Sequence, residues 1–311
     1  MASIQAQYFD YTVYSLNDCH TFIHFHLNNE DRFYEYIATF FLNENRLIQY
    51  VENDRAVHFT ATQHQKIELY KRLALFAANP IEFEITEAFD PVVMEALKAD
   101  YEIIERSDGG YIAKQPVVGR FGEYFLHVIL SEFFKLNCVV PKISLTTDSN
   151  MSVYGIDSLF YSHDNHKLFF GESKFSKALN SGVSLIRKSL ETYEDQIRDE
   201  FNLVLSERHI RRHPEFEELF SDKIAQSVSF DKFVEHAGLT TICVPLFIAH
   251  GNETDPDYIL MRLSSIPKKQ LFNMETEYWG ISLPVISKDR LIQEMIRTIG
   301  QIHNRLIAES E

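Results

Sequence analysis

The spacing of apolar residues changes period along the chain. Residues 7–27 alternate aromatic or aliphatic with polar positions (Tyr8, Tyr11, Val13, then Phe22, His24 and His26) and predict strands. Residues 30–42, rich in Phe and Tyr, predict a helix. A second helix over 63–78 (QHQKIELYKRLALFAA) is stopped by Asn79-Pro80. Phe89-Asp90-Pro91 opens a short helix, 91–98. Ser107-Asp108-Gly109-Gly110 is a turn, and a short strand precedes Pro116.

From Gly119 the pattern differs. Apolar residues at 121, 125, 128, 129 and 133 form a helical stripe over 120–136. Residues 139–147 read as a strand, placed at a sheet edge by Pro141. Two strands, 152–161 and 167–175, flank the turn Ser162-His163-Asp164-Asn165-His166. One long helix is expected over 181–203, with Ile186, Leu190, Tyr193, Ile197 and Phe201 on one face. Helical segments continue through 208–236. Residues 240–249 (TTICVPLFIA) are a buried strand. Residues 288–308 close the chain as an amphipathic helix with Leu291, Met295, Ile299, Ile302 and Leu306 inward. Helix, three strands, helix, strand is the order of an α/β sandwich.

Composition narrows the class. The 311 residues are 45% hydrophobic and 24% charged, as in an ordinary folded protein. No run of about 18 apolar residues occurs, so no membrane span is expected. The opening MASIQAQYFDYT lacks the charged and apolar regions of a signal peptide. Cys19, Cys138 and Cys243 form no CxxC pair, which fits a reducing cytosol. Net charge is −15, and residues 1–118 carry 9 Lys/Arg against 18 Asp/Glu. The acidic excess is concentrated in the N-terminal third, and the change of pattern suggests a boundary near 107–118. Domains of 1–110 and 111–311 are expected, the first a partner-docking or regulatory unit.

The chemistry gathers in Gly155-Ile156-Asp157 and Gly171-Glu172-Ser173-Lys174. A hairpin turning about Asp164-Asn165 pairs Asp157 with Glu172, and opposed residues hold their Cβ atoms roughly 5 Å apart. Two carboxylates so close repel unless a cation lies between them. Mg²⁺, with oxygen ligands at about 2.1 Å, suits that gap. Glu172 and Lys174 are two apart and share a face of the strand with Leu168 and Phe170. A divalent ion activates water for phosphodiester hydrolysis, and an ammonium can orient that water or stabilise developing charge. The Ser173 carbonyl and Glu123, at the start of the preceding helix, are the further ligand candidates.

These motifs resemble the PD-(D/E)xK nuclease superfamily. More narrowly, GRFGEYFLHVIL, YGIDSLFY and LFFGESKF are similar to HamA, the nuclease subunit of the Hachiman anti-phage defence system. The resemblance covers roughly 119–250. It implies a restriction-endonuclease-like mixed sheet flanked by helices, preceded here by an additional α+β N-terminal domain. It implies a bacterial, cytoplasmic, Mg²⁺-dependent deoxyribonuclease (Mn²⁺ being an alternative ion) that a superfamily-2-type helicase partner subunit restrains. Asp157, Glu172 and Glu123 would be the metal-binding acids and Lys174 the catalytic lysine that assists the water. Where the superfamily pattern leads with Pro-Asp, this chain has Ile156-Asp157. The superfamily often places Gln, Lys or Tyr on the next helix; Lys177, Arg187, Lys188 and Gln196 are the candidate DNA contacts.

Plainer readings stand beside these. The acidic pair and lysine would serve as a surface ion pair, and Glu123 as a favourable charge at a helix start. His209 and His213 lack further ligands for a metal site. His163 and His166 flank a turn, and His24 and His26 are ordinary strand residues. Cys138 and Cys243 look like buried, inert thiols. Arg208, Arg211 and Arg212 make a solvated helix surface as readily as a phosphate contact. The aromatics Phe33, Tyr34, Tyr36, Phe40 and Phe41 fit a core better than base stacking. Two other functions compete: a vestigial interaction subunit that regulates a helicase, and a restriction or repair nuclease with another partner.

Overall fold

The structure, a computed structural model, describes residues 3–8, 11–17, 21–27, 30–43, 62–78, 82–85, 102–107, 109–114, 117–132, 134–140, 156–162, 165–206, 230–251, 253–285 and 287–310. Apolar runs become strands and 3.6-period stripes become helices, in the order β1 (Ser3–Tyr8), β2 (Tyr11–Asn17), β3 (Thr21–Leu27), α1 (Glu30–Phe41), α2 (Gln63–Ala78), β4 (Glu82–Ile85), β5 (Glu102–Glu105) and β6 (Tyr111–Lys114). There follow α3 (Val117–Glu132), β7 (Asn137–Val140), β8 (Ser158–Ser162), β9 (Lys167–Phe175), α4 (Leu179–Ser189), α5 (Tyr193–Ser206), α6 (Phe230–His236), β10 (Thr241–His250), α7 (Pro256–Ser264), β11 (Glu275–Pro284) and α8 (Lys288–Ala308).

Eight strands form one mixed sheet in the order β1-β2-β3-β11-β10-β9-β8-β7. Strands β9, β10, β11 and β3 run parallel, while β8 and β7 are antiparallel to their neighbours. All ten residues of β10 are buried, as a parallel strand covered on both faces must be. One face packs Phe121, Phe125 and Ile129 of α3 with Tyr34 and Ile37 of α1, Tyr70 of α2 and Leu291, Met295 and Ile299 of α8. The other packs Val183 and Ile186 of α4, Tyr193 and Ile197 of α5, Phe233 of α6 and Ile259 of α7. The α/β sandwich is therefore three layers, a restriction-endonuclease-like mixed sheet flanked by helices. β7 lies at the sheet edge, the position that Pro141 suggests.

In the N-terminal part β3 pairs with β11 through Phe22↔Gly280, Ile23↔Ile281 and His24↔Ser282, so β1–β3 extend the main sheet. Tyr34, Phe41 and Tyr70 share one apolar cluster with α3 and α8. The small sheet β4-β6-β5 is a separate three-stranded unit whose middle strand, β6, follows residue 110.

Several boundaries move for identifiable reasons. The expected helix 181–203 is two helices, because the chain turns at Leu190–Thr192. Thr192 O accepts the opening helical hydrogen bond from Gln196 N at 3.1 Å, its hydroxyl accepts from Gln196 Nε2 at 3.0 Å, and acids Glu194 and Asp195 occupy the first turn of α5. β11 and α7 have no counterpart in the sequence reading. α7 carries a legible start, since Asp255 accepts from Asp257 N at 3.1 Å with Pro256 inside the first turn. β11 is harder to see, because Gly280 sits in its middle. The helix expected at 91–98 and the segments 141–155 and 207–229 lie outside the described residues.

Candidate active site

β8 and β9 pair antiparallel through Ser158↔Gly171, Leu159↔Phe170, Phe160↔Phe169, Tyr161↔Leu168 and Ser162↔Lys167. This is the register that a turn about Asp164-Asn165 requires. The ladder ends at Ser158↔Gly171, and just outside it Asp157 N donates to Gly171 O at 3.0 Å, one residue out of that register. Leu168 and Phe170 lie in the apolar layer beneath α4 and α5, and Phe169 lies in the opposite layer. The strand's alternation therefore carries Glu172 and Lys174 toward α4 and α5, and Ser173 toward α3.

Glu172 is buried, with 5% of its side chain exposed, and Lys174 Nζ stands 2.5 Å from Glu172 Oε1. Ser189, the last residue of α4, lies near the Glu172 carboxylate and favours its charged form. The Asp157 carboxylate reaches the strand's other side. Its Oδ2 accepts from Ser173 N at 2.6 Å and from Ser173 Oγ at 2.7 Å.

Burial and then the Asp157 carboxylate raise the pKa of Glu172, against the opposing effects of Lys174 and Ser189. The ammonium and the hydroxyl do not fully compensate the loss of water and the second negative charge. Tyr193, which opens α5, registers the same field. Its phenol pKa is pushed well up by burial first and then by Glu172 and Asp157, while its hydroxyl donates to Phe170 O at 2.8 Å.

Helix α3 crosses β9 at Ser173. A Cβ added to Gly122 would lie 3.2 Å from Ser173 Oγ and 3.9 Å from Phe175 Cβ. Glu123, the next residue, is half-buried on that helix. Among the described residues, no group of three or more His, Cys, Asp or Glu side chains is placed to hold one ion. The structure thus brings Asp157, Glu172, Ser173 and Lys174 together and does not gather Glu123 with the two acids into a three-ligand cluster.

The residues nominated for DNA contact are in different situations. Lys177 and Lys188 are exposed beside and on α4. Arg187 donates from Nη2 to the carbonyl and the hydroxyl of Ser265, both at 2.7 Å, and so ties α4 to α7. Gln196 is spent on Thr192. Arg208, His209, Arg211, Arg212, His213 and His163 lie outside the described residues. Cys138 and Cys243 are buried. Burial, then a hydrogen bond to Glu277, raises the pKa of the Cys243 thiol. Sequence reasoning missed Ser189 and the Ser173 hydroxyl. Tyr193 was visible only as one member of an apolar helix face.

The HamA family model matches residues 10–299. The chain belongs to the HamA family. Comparison with curated proteins and with solved structures finds no match. The family match crosses the 110/111 position without a break, as the sheet does. Membership makes the chain a protein of the Hachiman defence type. Among the described residues no helix is long and apolar enough to cross a membrane.

The donor set suits a hard divalent cation. Glu172 meets one ammonium and also feels the Asp157 carboxylate, and burial makes the negative charge costly. Mg²⁺ is commonly held by one or two carboxylates, the rest of its octahedron being water and substrate oxygens. Asp157 and Glu172 meet that minimum without a third acid.

Proposed function

We propose that this HamA-family chain is a divalent-metal-dependent deoxyribonuclease, the effector of a bacterial anti-phage defence pair. The observation that carries the reading is the buried Glu172, whose pKa rises under Asp157 although Lys174 lies 2.5 Å away. A site that keeps two carboxylates together at that cost is suited to a cation. Asp157 and Glu172 would hold Mg²⁺ or Mn²⁺, with the Ser173 carbonyl and Glu123 as further ligands. The bound ion would supply Lewis-acid activation of a phosphodiester and of water.

The chain's own residues do the rest. Lys174 presents a cation on the Glu172 face of β9, where it neutralises the acid and can stabilise negative charge on a phosphate oxygen. Ser189 of α4 favours the charged form of Glu172. Lys177 and Lys188 offer exposed positive charge on that layer for the DNA backbone. The acidic balance of the whole chain disfavours spontaneous DNA binding. That fits an enzyme delivered to DNA by a partner, here a superfamily-2-type helicase that restrains it in the cytoplasm until activation.

The test is cleavage of linear and supercoiled DNA by the purified chain and by the chain with its helicase, with Mg²⁺ or with EDTA. Metal-dependent cleavage that disappears in Glu172→Gln is expected. Cleavage that persists in that variant overturns the assignment. Helicase binding by a chain inactive under every condition would favour the vestigial interaction subunit.

A further inference from the structure

The Ser173 side chain lies across β9 from Glu172 and Lys174, yet it touches the other acid of the site. Its hydroxyl and its own backbone N–H both donate to one oxygen, Asp157 Oδ2, at 2.7 and 2.6 Å. Asp157 stands one residue outside β8, where no further ladder fixes it, so its carboxylate depends on these two donors for orientation. On the far side of the hydroxyl is helix α3, approaching at Gly122, which carries no side chain.

We propose that the Ser173 hydroxyl is a positioning residue. It holds Asp157 Oδ2 toward α3 and leaves the other carboxylate oxygen for the divalent cation, and Gly122 is the space that lets the helix close over it. The inference rests on the metal-site reading above. The chemistry is that of outer-sphere support: a ligating carboxylate is itself hydrogen-bonded, and the bond selects which oxygen faces the ion. Charge-assisted hydrogen bonds at this length are also directional enough to hold a short side chain in one rotamer. A consequence is that the position of α3 is mechanically joined to the metal ligand. A Cβ at Gly122, 3.2 Å from Ser173 Oγ, requires the hydroxyl to shift by a few tenths of an ångström, and Asp157 with it.

Mn²⁺ affinity of the full chain, measured by calorimetry and by the electron paramagnetic resonance of free ion, separates this role from a merely structural one. Ser173→Ala keeps the backbone donor and carbonyl and is expected to weaken Mn²⁺ binding roughly ten- to a hundredfold, with little change in thermal midpoint in EDTA. Gly122→Ala alone is expected to weaken binding several-fold, but to add nothing in a Ser173→Ala background, because the atom it displaces is gone. Wild-type affinity in folded Ser173→Ala overturns the proposal, as do losses that add in full across the two substitutions. Mn²⁺ binding by wild type that survives Glu172→Gln unchanged overturns the metal-site reading itself, a result distinct from either.

Discussion

Strand β9 carries a lysine–glutamate pair at each end, and the two pairs look alike until their neighbours are considered. At the end of β9, Lys174 meets Glu172 at 2.5 Å; at its beginning, Lys167 meets Glu277 of β11 at 2.6 Å. The lysines are equally sheltered, 26% and 25% exposed. The acids are not equivalent. Glu277 is pushed up by burial, but hydrogen bonds from Cys243 and Lys167, with Lys167's charge, outweigh that and leave its pKa below the usual carboxylate value. Glu172 is more deeply buried, and its second neighbour is another carboxylate, so its pKa goes up. One pair is satisfied and ties three strands together. The other holds a buried acid beside a second carboxylate, a state that a proton or an additional cation would relieve. An ion pair by itself therefore says little about function; the sign of the acid's pKa shift distinguishes the two.

The largest separation between the two ends should appear in cleavage. Glu172→Gln removes a charge while keeping the shape, and is expected to lower metal-dependent DNA cleavage roughly 10²–10³-fold or more. Glu277→Gln is expected to leave it within a few-fold. Equal losses in a gel-based cleavage assay would erase the distinction. The lysines sharpen it. Lys174→Ala is expected to cost about 10²-fold in rate, and Lys167→Ala almost nothing, when both are assayed at saturating Mg²⁺.

Much of this contrast was legible beforehand. Alternation in Lys167–Phe175 and the turn at Asp164-Asn165 give the register from Ser162↔Lys167 to Ser158↔Gly171, because period and turn length leave little freedom once both strand faces are buried. The inward face of α8 is likewise readable: Leu291, Met295, Ile299 and Leu306 are buried and Ile302 is partly so. What depends on long-range contact is not. Glu277 comes from β11, a strand more than a hundred residues from Lys167, and β11 announces itself weakly with Gly280 at its centre. The same holds for β3, which pairs with its neighbour β2 on one side and with the distant β11 on the other. The placement of Ser173 Oγ on Asp157 needs coordinates, since alternation alone points Ser173 away from Glu172.

Stability should reverse the ranking seen in cleavage. Glu277→Gln removes the charge from hydrogen bonds with Lys167 and Cys243, and should cost about 1 kcal/mol, reduced from the value for a dry pair because both partners are partly solvated. Glu172→Gln relieves a buried charge and its repulsion by Asp157. In EDTA it should be at least as stable as wild type, the balance often seen where a functional group is strained. Urea denaturation of both variants checks this. A larger loss from Glu172→Gln than from Glu277→Gln would make the Lys174 pair a structural one.

The finest expected difference lies in the pH dependence of the metal-free chain, and it has opposite signs at the two ends. For Glu172 the folded pKa lies above the ordinary 4.5, so folding favours its protonated form. Its contribution to stability is complete below the unfolded pKa and is lost as pH rises through the folded one. For Glu277 the folded pKa lies below the ordinary 4.5. Its contribution is present above the unfolded value and is lost as pH falls through the folded one. Thermal midpoints in EDTA, followed from acid to neutral pH, should therefore lose part of their slope above 4.5 in Glu172→Gln and below 4.5 in Glu277→Gln. Flattening on the same side in both variants would mean that the two carboxylates feel the same kind of environment, and that Asp157 does not set them apart.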